Sequence, residues 1–438
     1  MFWLATLTFA AVYIGIVSEK VNKTTAALCG AAVVLCFRVV SVDEALFDAG
    51  LGVDWGVIFL LISMMIIVNI LARTGLFQYV AVRAAKMGRG EPFRVMIILA
   101  VVTAVASSFL DNVTTVLLMA PVTLVVAQQL ETDPIPMLIT EALASNIGGT
   151  ATLIGDPPNI MIGSRAGLSF LDFLVHVAPG VVVIMISWLL AWKLVFSSRM
   201  KAKPELCDRI MAMDENRMIV DPALLKKSAV ILALVIAGFL SHSLTRLDPS
   251  VVAFTGAAFL LLLTKENPAK ALSEVEWPTV CFFIGLFIIV GATVKVGMIE
   301  ILSKQVISVT KPQPDNMFGL TMAVVWFSGL ASAIVDNIPY VATMNPLIIE
   351  TTRAVYGSVP AHVPPAVMPV WWALSLGACL GGNGTAIGAS ANVVVCGISE
   401  RAGHKITFAR FLKYGAPTTL FTIAVSAVYL WLRYYVVS

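Results

Sequence analysis

The sequence predicts an all-α, polytopic membrane protein, and three observations carry that reading. Of its 438 residues, 59% are hydrophobic and only 13% charged, whereas a soluble chain carries about 25% charged residues. Mean hydropathy is +0.91. The apolar residues fall into runs of about 16–25, the length a helix needs to cross a bilayer. Such a chain cannot keep an ordinary water-facing surface, so disordered, collagenous, disulfide-scaffold and nucleic-acid-binding classes are excluded. A net charge of +3 without a basic tail implies no polyanionic partner. Cys29, Cys36, Cys207, Cys281, Cys379 and Cys396 are scattered, and His176, His242, His362 and His404 lie far apart. No metal site is expected from them.

Taken in order, the runs predict crossings near 2–18, 24–40, 55–72, 137–163 and 173–196, then 228–241, 250–264, 277–294, 366–396 and 410–436. The first run, Phe2 to Val17, has no basic residue before it and no small-residue cleavage site after it, and reads as a membrane helix rather than a removed leader. Two further apolar pairs, 95–127 and 316–350, are each interrupted by an Asp-Asn dipeptide. The polar stretch 197–227 divides the chain into 1–196 and 228–438. Placing this linker in the cytoplasm puts most of the 29 Lys and Arg inside, including Arg73, Arg83, Lys86, Arg89 and Arg94. Loop 41–54, with Asp43, Glu44, Asp48 and Asp54 and no base, then lies outside, as do both termini.

The two parts repeat each other. Trp55, Arg73 and Gly75 match Trp277, Lys295 and Gly297, and Asp111-Asn112 matches Asp336-Asn337. GGTATLIGDPPN (148–159) matches GGNGTAIGASAN (381–392), and FLDFLVHVAP (170–179) matches FARFLKYGAP (408–417). With about five crossings per repeat, an odd number, the second copy must be upside down in the bilayer. Inverted repeats with interrupted helices place substrate and coupling ions near the midplane, so a transporter working by alternating access is expected.

The interruptions supply the chemistry. Gly148-Gly149 and Gly381-Gly382 are expected to release a helix within the membrane, with Pro157-Pro158 keeping it from resuming normally. Freed half-helix ends offer N–H groups to anions and C=O groups to cations. The side chains gathered there are Asn146, Thr150, Thr152, Asp156 and Asn159, and Asn383, Thr385, Ser390 and Asn392 in the second copy. Asp111, Asp156 and Asp336 stand out, because an ionised Asp at the bilayer centre costs about 2.5–3.5 kcal/mol on insertion scales and so marks proton or cation coupling. Asp156 is matched by Ala389, which makes it the principal acid at the breaks.

Plainer readings stay open at this point. The Asp-Asn pairs are also turn formers, the paired glycines also let membrane helices approach, and Asp156-Pro157-Pro158 also suits a loop end. Cys379 and Cys396 read as small hydrophobes and His176 as an interfacial residue; a coupling role for Glu141 is the lesser reading. The glycine-rich 382–388 lacks phosphate-loop spacing, so gradients rather than ATP are expected to drive any flux. The Gly-x-Gly-Asp signature of intramembrane aspartyl proteases is absent, and paired breaks argue against a channel.

SSFLDNVTTVLLMAPV (107–122) with NIGGTATLIGDPPNIMIGS (146–164), and VDNIPYVATMNPL (335–347) with GGNGTAIGASANVVVCG (381–397), resemble the arsenite-permease and sodium–proton-antiporter family of the ion-transporter superfamily, in the branch that holds the melanosomal P protein. The resemblance covers nearly the whole chain. It implies two inverted repeats, each with a re-entrant hairpin and a broken helix, and an elevator-type displacement. The hairpin tips would be Asp111-Asn112, with Thr115 beside them, and Asp336-Asn337. The stretches 74–92 and 296–312 would be surface-lying arms. It further implies a homodimer in the inner (plasma) membrane, no cofactor, and a proton or sodium gradient as energy source. Two tip carboxylates disfavour a multivalent carboxylate cargo. The expected function is proton-coupled efflux of arsenite or antimonite, with sodium–proton antiport next and a di- or tricarboxylate symporter third. An associated ATPase subunit remains open, with linker 197–227 as its docking surface or, more simply, as a solvated connector.

Overall fold

Several helices in this chain begin where a short polar side chain caps them. Asn22 accepts from the N–H groups of Thr24 and Thr25, Ser41 forms a capping box with Glu44, and Asp54, Asp133, Asp221, Asp248 and Asn267 cap five others. The computed structural model describes residues 1–18, 20–196, 204–358 and 362–436. Residues 197–203 of the predicted linker lie outside the described residues.

The first part of the chain runs α1 (Phe2–Ser18), α2 (Lys23–Cys36), α3 (Val42–Phe47), α4 (Trp55–Ala72) and α5 (Leu76–Met87). It continues through α6 (Pro92–Ser107), α7 (Asn112–Gln129), α8 (Pro134–Gly149), α9 (Pro157–Ala166), α10 (Phe170–His176) and α11 (Ala178–Phe196). The linker contributes α12 (Pro204–Met211) and a 3-10 turn at Glu215–Met218. There follow α13 (Pro222–Leu240), α14 (His242–Thr245), α15 (Pro249–Thr264), α16 (Pro268–Ser273), α17 (Trp277–Lys295) and α18 (Met298–Thr310). Last come α19 (Phe318–Ser332), α20 (Asn337–Tyr356), α21 (Met368–Gly381), α22 (Ser390–Arg401) and α23 (Phe408–Trp431). Among the described residues, six helices are long and apolar enough to cross a membrane, and shorter apolar helices accompany them.

Local geometry recurs in the same order in both parts. Gly75 before α5 and Gly297 before α18 are both left-handed, at φ +83° and +81°. α7 and α20 each carry an internal proline, Pro121 and Pro346. The Trp55 indole donates to Leu46 O and the Trp277 indole to Leu272 O.

Packing sorts the helices into two groups. α1, α2 and α17 pack together, as do α4, α13 and α15. The other group is built on α6 against α8 and α19 against α21, with α7, α22 and α23 around them. All of α8 except Pro136 and all of α21 except Met368 are buried. α5 touches α6 and α7, and α18 touches α17 and α20.

The structure bears on three expectations and corrects the one about the prolines. α8 ends at Gly149 and α21 at Gly381, so both helices stop at their glycine pairs; a Cβ on Gly148 would lie 2.0 Å from Ala104 O, so this glycine also serves close packing. Pro157-Pro158 does not hinder resumption. Both residues open α9, where a missing N–H costs nothing and the fixed φ suits a first turn. The described part of the linker is largely exposed yet tied to α5 and its flanks. Val220 N–H donates to Thr74 O, Lys86 donates to Met213 O, and Glu215 pairs with Arg83 at 2.8 Å and Lys86 at 2.5 Å. The Lys86 hydrogen bond, then the N–H of its own turn and the Arg83 bond, hold the Glu215 carboxyl down to about 2.

Candidate functional site

The two Asp-Asn dipeptides cap helices. Asp111 precedes α7 and its Oδ1 accepts from Thr114 N–H at 2.8 Å, while the Thr115 hydroxyl donates to Asp111 O at 2.9 Å. Asp336 precedes α20 and its Oδ1 accepts from Ile338 N–H at 3.1 Å. Its other oxygen is engaged differently. Lys23 Nζ lies 2.9 Å from Asp336 Oδ2 and donates at 2.7 Å to Ser390 Oγ, which itself donates to that Oδ2 at 3.3 Å.

Asp156 occupies the cap position of α9 without capping it. Its carboxylate instead accepts from the Asn337 amide, at 3.1 Å to Oδ2 and 3.4 Å to Oδ1. Asn337 belongs to the second tip, so the acid of the first break is held by the hairpin of the other half.

The unwound segments are stitched by asparagines. Asn159 Nδ2 donates to the carbonyls of Thr152, Thr150 and Gly149 at 2.9, 3.1 and 3.4 Å. Its Oδ1 accepts from Ser375 at 2.7 Å and from the Cys379 thiol at 3.6 Å. Asn392 Nδ2 donates to Gly382 O and Thr385 O at 2.8 and 2.9 Å. Thr152 ties its break to Ser108 O, Thr385 ties the second to Ala333 O, and Thr150 bonds back to Asn146 O. Between the breaks runs a chain of amides: Asn112 donates to Asn146, and Asn146 donates to Asn383 and Asn392. Asn383 Nδ2 continues to Leu143 O at 3.3 Å. Satisfying buried carbonyls in this way is what permits irregular backbone at membrane depth.

A cavity of about 530 Å³ opens beside these groups. Of the residues singled out in the sequence, Asp111, Asn112, Asp156, Asp336, Asn337 and Ser390 line it. Thr115, Asn146, Thr150, Thr152, Asn159, Asn383, Thr385 and Asn392 do not, and their side chains hold backbone or each other instead. Two charged lining residues escape a sequence reading, Lys23 and Glu276. Lys23 carried a signal, since it is the first residue of α2, where the helix dipole disfavours a cation by about 0.3–1 kcal/mol. The described lining thus holds four acids and one base. A second cavity of about 300 Å³, lined in part by Arg165, Asn345, Glu350 and Arg353, reaches α9 and α20 from their opposite ends. Between the two, Asn345 donates to Met161 O at 3.1 Å.

An all-helical membrane bundle with broken buried helices and an acid-lined central cavity defines a multi-pass membrane transporter. The chain belongs to the CitMHS family, described as citrate transporter, which matches residues 13–377. It is 47% identical over 99% of both chains to an uncharacterized transporter of Mycobacterium tuberculosis, and 44% identical, with the same coverage, to the 46 kDa membrane protein of Mycobacterium leprae. It is 33% identical to the P protein of Homo sapiens over 99% of this chain, which spans 60% of that protein. The solved YdaH transporter of Alcanivorax borkumensis shares the fold, with TM-score 0.54 and 13% identity over 98% of this chain and 97% of that one. These matches fit the ion-transporter superfamily that the motifs resemble.

Proposed function

We propose that this transporter exchanges protons for a small cation, with sodium as the first choice, across inverted repeats that work by alternating access. One observation carries the reading: Asp111, Asp156 and Asp336 face one cavity whose single base among the described residues, Lys23, already sits on Asp336. A cation replaces an ammonium there without creating net charge, and a proton does the same by neutralising the acid. A free polycarboxylate such as citrate is disfavoured, because each acid left ionised about 4 Å from an anionic cargo costs about 4 kcal/mol at an effective dielectric of 20. Efflux of arsenite or antimonite is the second reading. The Asn112 and Asn337 amides and the Ser390 hydroxyl supply donors and acceptors for an uncharged hydroxylated solute.

The test uses proteoliposomes with an internal pH dye, to which sodium, arsenite or citrate is added separately. Proton movement on sodium addition, lost in Asp156→Asn, supports the proposal. Movement with arsenite alone transfers it to the second reading, and movement with citrate alone overturns both.

A further inference from the structure

The Lys23 ammonium sits on Asp336 and Ser390 in the cavity, and its helix is anchored to the opposite group of helices. α2 packs on α17, and Thr24 Oγ1 donates to Pro278 O at 2.8 Å, fixing the start of α2 to that helix pair. Asp336 and Ser390 belong to the group built around α19–α22. Tyr13 of α1 adds a second bond across the same boundary, donating to Pro339 O and pairing with Thr343 Oγ1 at 2.5 Å. The Phe282 ring lies 5.3 Å from the ammonium, giving it an alternative resting face. The other ionisable groups facing the pair are Asp111 at the start of α7, Asp156 before α9, Glu276 before α17 and Tyr13 on α1; no second base lines the cavity among the described residues.

We propose that Lys23 is the resident counter-ion of Asp336, a tethered cation that locks the empty, deprotonated carrier and is displaced by a proton or a cargo cation. The proposal rests on the exchange reading and specifies how exchange is kept tight. An exchanger must not let its bare form cross, or protons leak with no return cargo. A Lys23–Asp336 bond spanning two helix groups blocks that crossing only while Asp336 is ionised and unoccupied. Lys23 is therefore a positioning residue for the coupling step.

Two measurements test it. In proteoliposomes under an imposed pH gradient with no sodium present, the native protein should hold the gradient. Lys23→Gln should dissipate it about tenfold faster, and Lys23→Arg should restore retention. In the detergent-purified native protein, amine acylation of Lys23 is read by mass spectrometry relative to the exposed Lys20, first as sodium replaces choline at fixed pH, then across pH. The Lys23/Lys20 ratio should rise with sodium and with acid, and should be high throughout in Asp336→Asn. Equal leak in Lys23→Gln and native protein, or a ratio indifferent to Asp336→Asn, overturns the proposal. A ratio that rises with acid but not with sodium keeps the counter-ion assignment and removes sodium as the cargo.

Discussion

The two breaks share a backbone and differ in one side chain. Asp156 adopts φ −144°, ψ 130° before α9, and Ala389 adopts φ −146°, ψ 144° before α22. Each break is stitched by one asparagine three residues on, Asn159 or Asn392, and tied to the preceding hairpin by one threonine, Thr152 or Thr385. The carboxylate is thus not needed to make the break. A conformation held equally well by Ala389 leaves Asp156 free to serve the cavity, and that is where its oxygens turn.

The comparison can be broken hardest at its glycines. Gly148→Ala drives a Cβ to 2.0 Å from Ala104 O, while Gly381→Ala meets Gly329 O at 2.6 Å. Thermal unfolding in detergent should show a loss of about 3 kcal/mol for the first and less for the second. The asparagine stitches come next. Asn159→Ala strands three carbonyls and two donors, against two carbonyls and one donor for Asn392→Ala. Losses of about 2–3 and about 1–2 kcal/mol are expected, and equal losses would mean that the breaks are held elsewhere. Exchanging the differing side chain sharpens the contrast. Asp156→Asn should fold normally yet lose proton flux in the dye assay, whereas Ala389→Asp should lose about 1–3 kcal/mol by burying an unpartnered acid at a fully buried position. The smallest effects belong to Thr152→Val and Thr385→Val. Each should cost about 1 kcal/mol, and the test is whether the two midpoints shift alike.

Much of the architecture was legible because its signals are local. Apolar runs bounded by Asp, Asn, Ser and Pro caps predict the helices, and the repeated Asp-Asn and Gly-Gly blocks locate both tips and both breaks. What a sequence does not display is which way a polar side chain turns within a break. Asn159 and Asp156 stand three residues apart, yet one holds carbonyls and the other faces the cavity. Lys23 was hidden for a different reason. It reads as a loop cation until folding carries it to an acid 313 residues away. Crossing 24–40 ends early, at Cys36, because Arg38 turns left-handed at φ +54°, a conformation that composition alone does not favour.

The amide chain from Asn112 through Asn146 to Asn383 and Asn392 has a polarity. A carboxamide has an oxygen end and a nitrogen end, and Asn146 takes in one bond from the first half and gives out two to the second. Turning that one group end for end would set nitrogen against nitrogen on one side and oxygen against oxygen twice on the other. The centre of the molecule therefore tolerates a single orientation of Asn146. The two breaks it joins are read as one word, unable to change spelling independently.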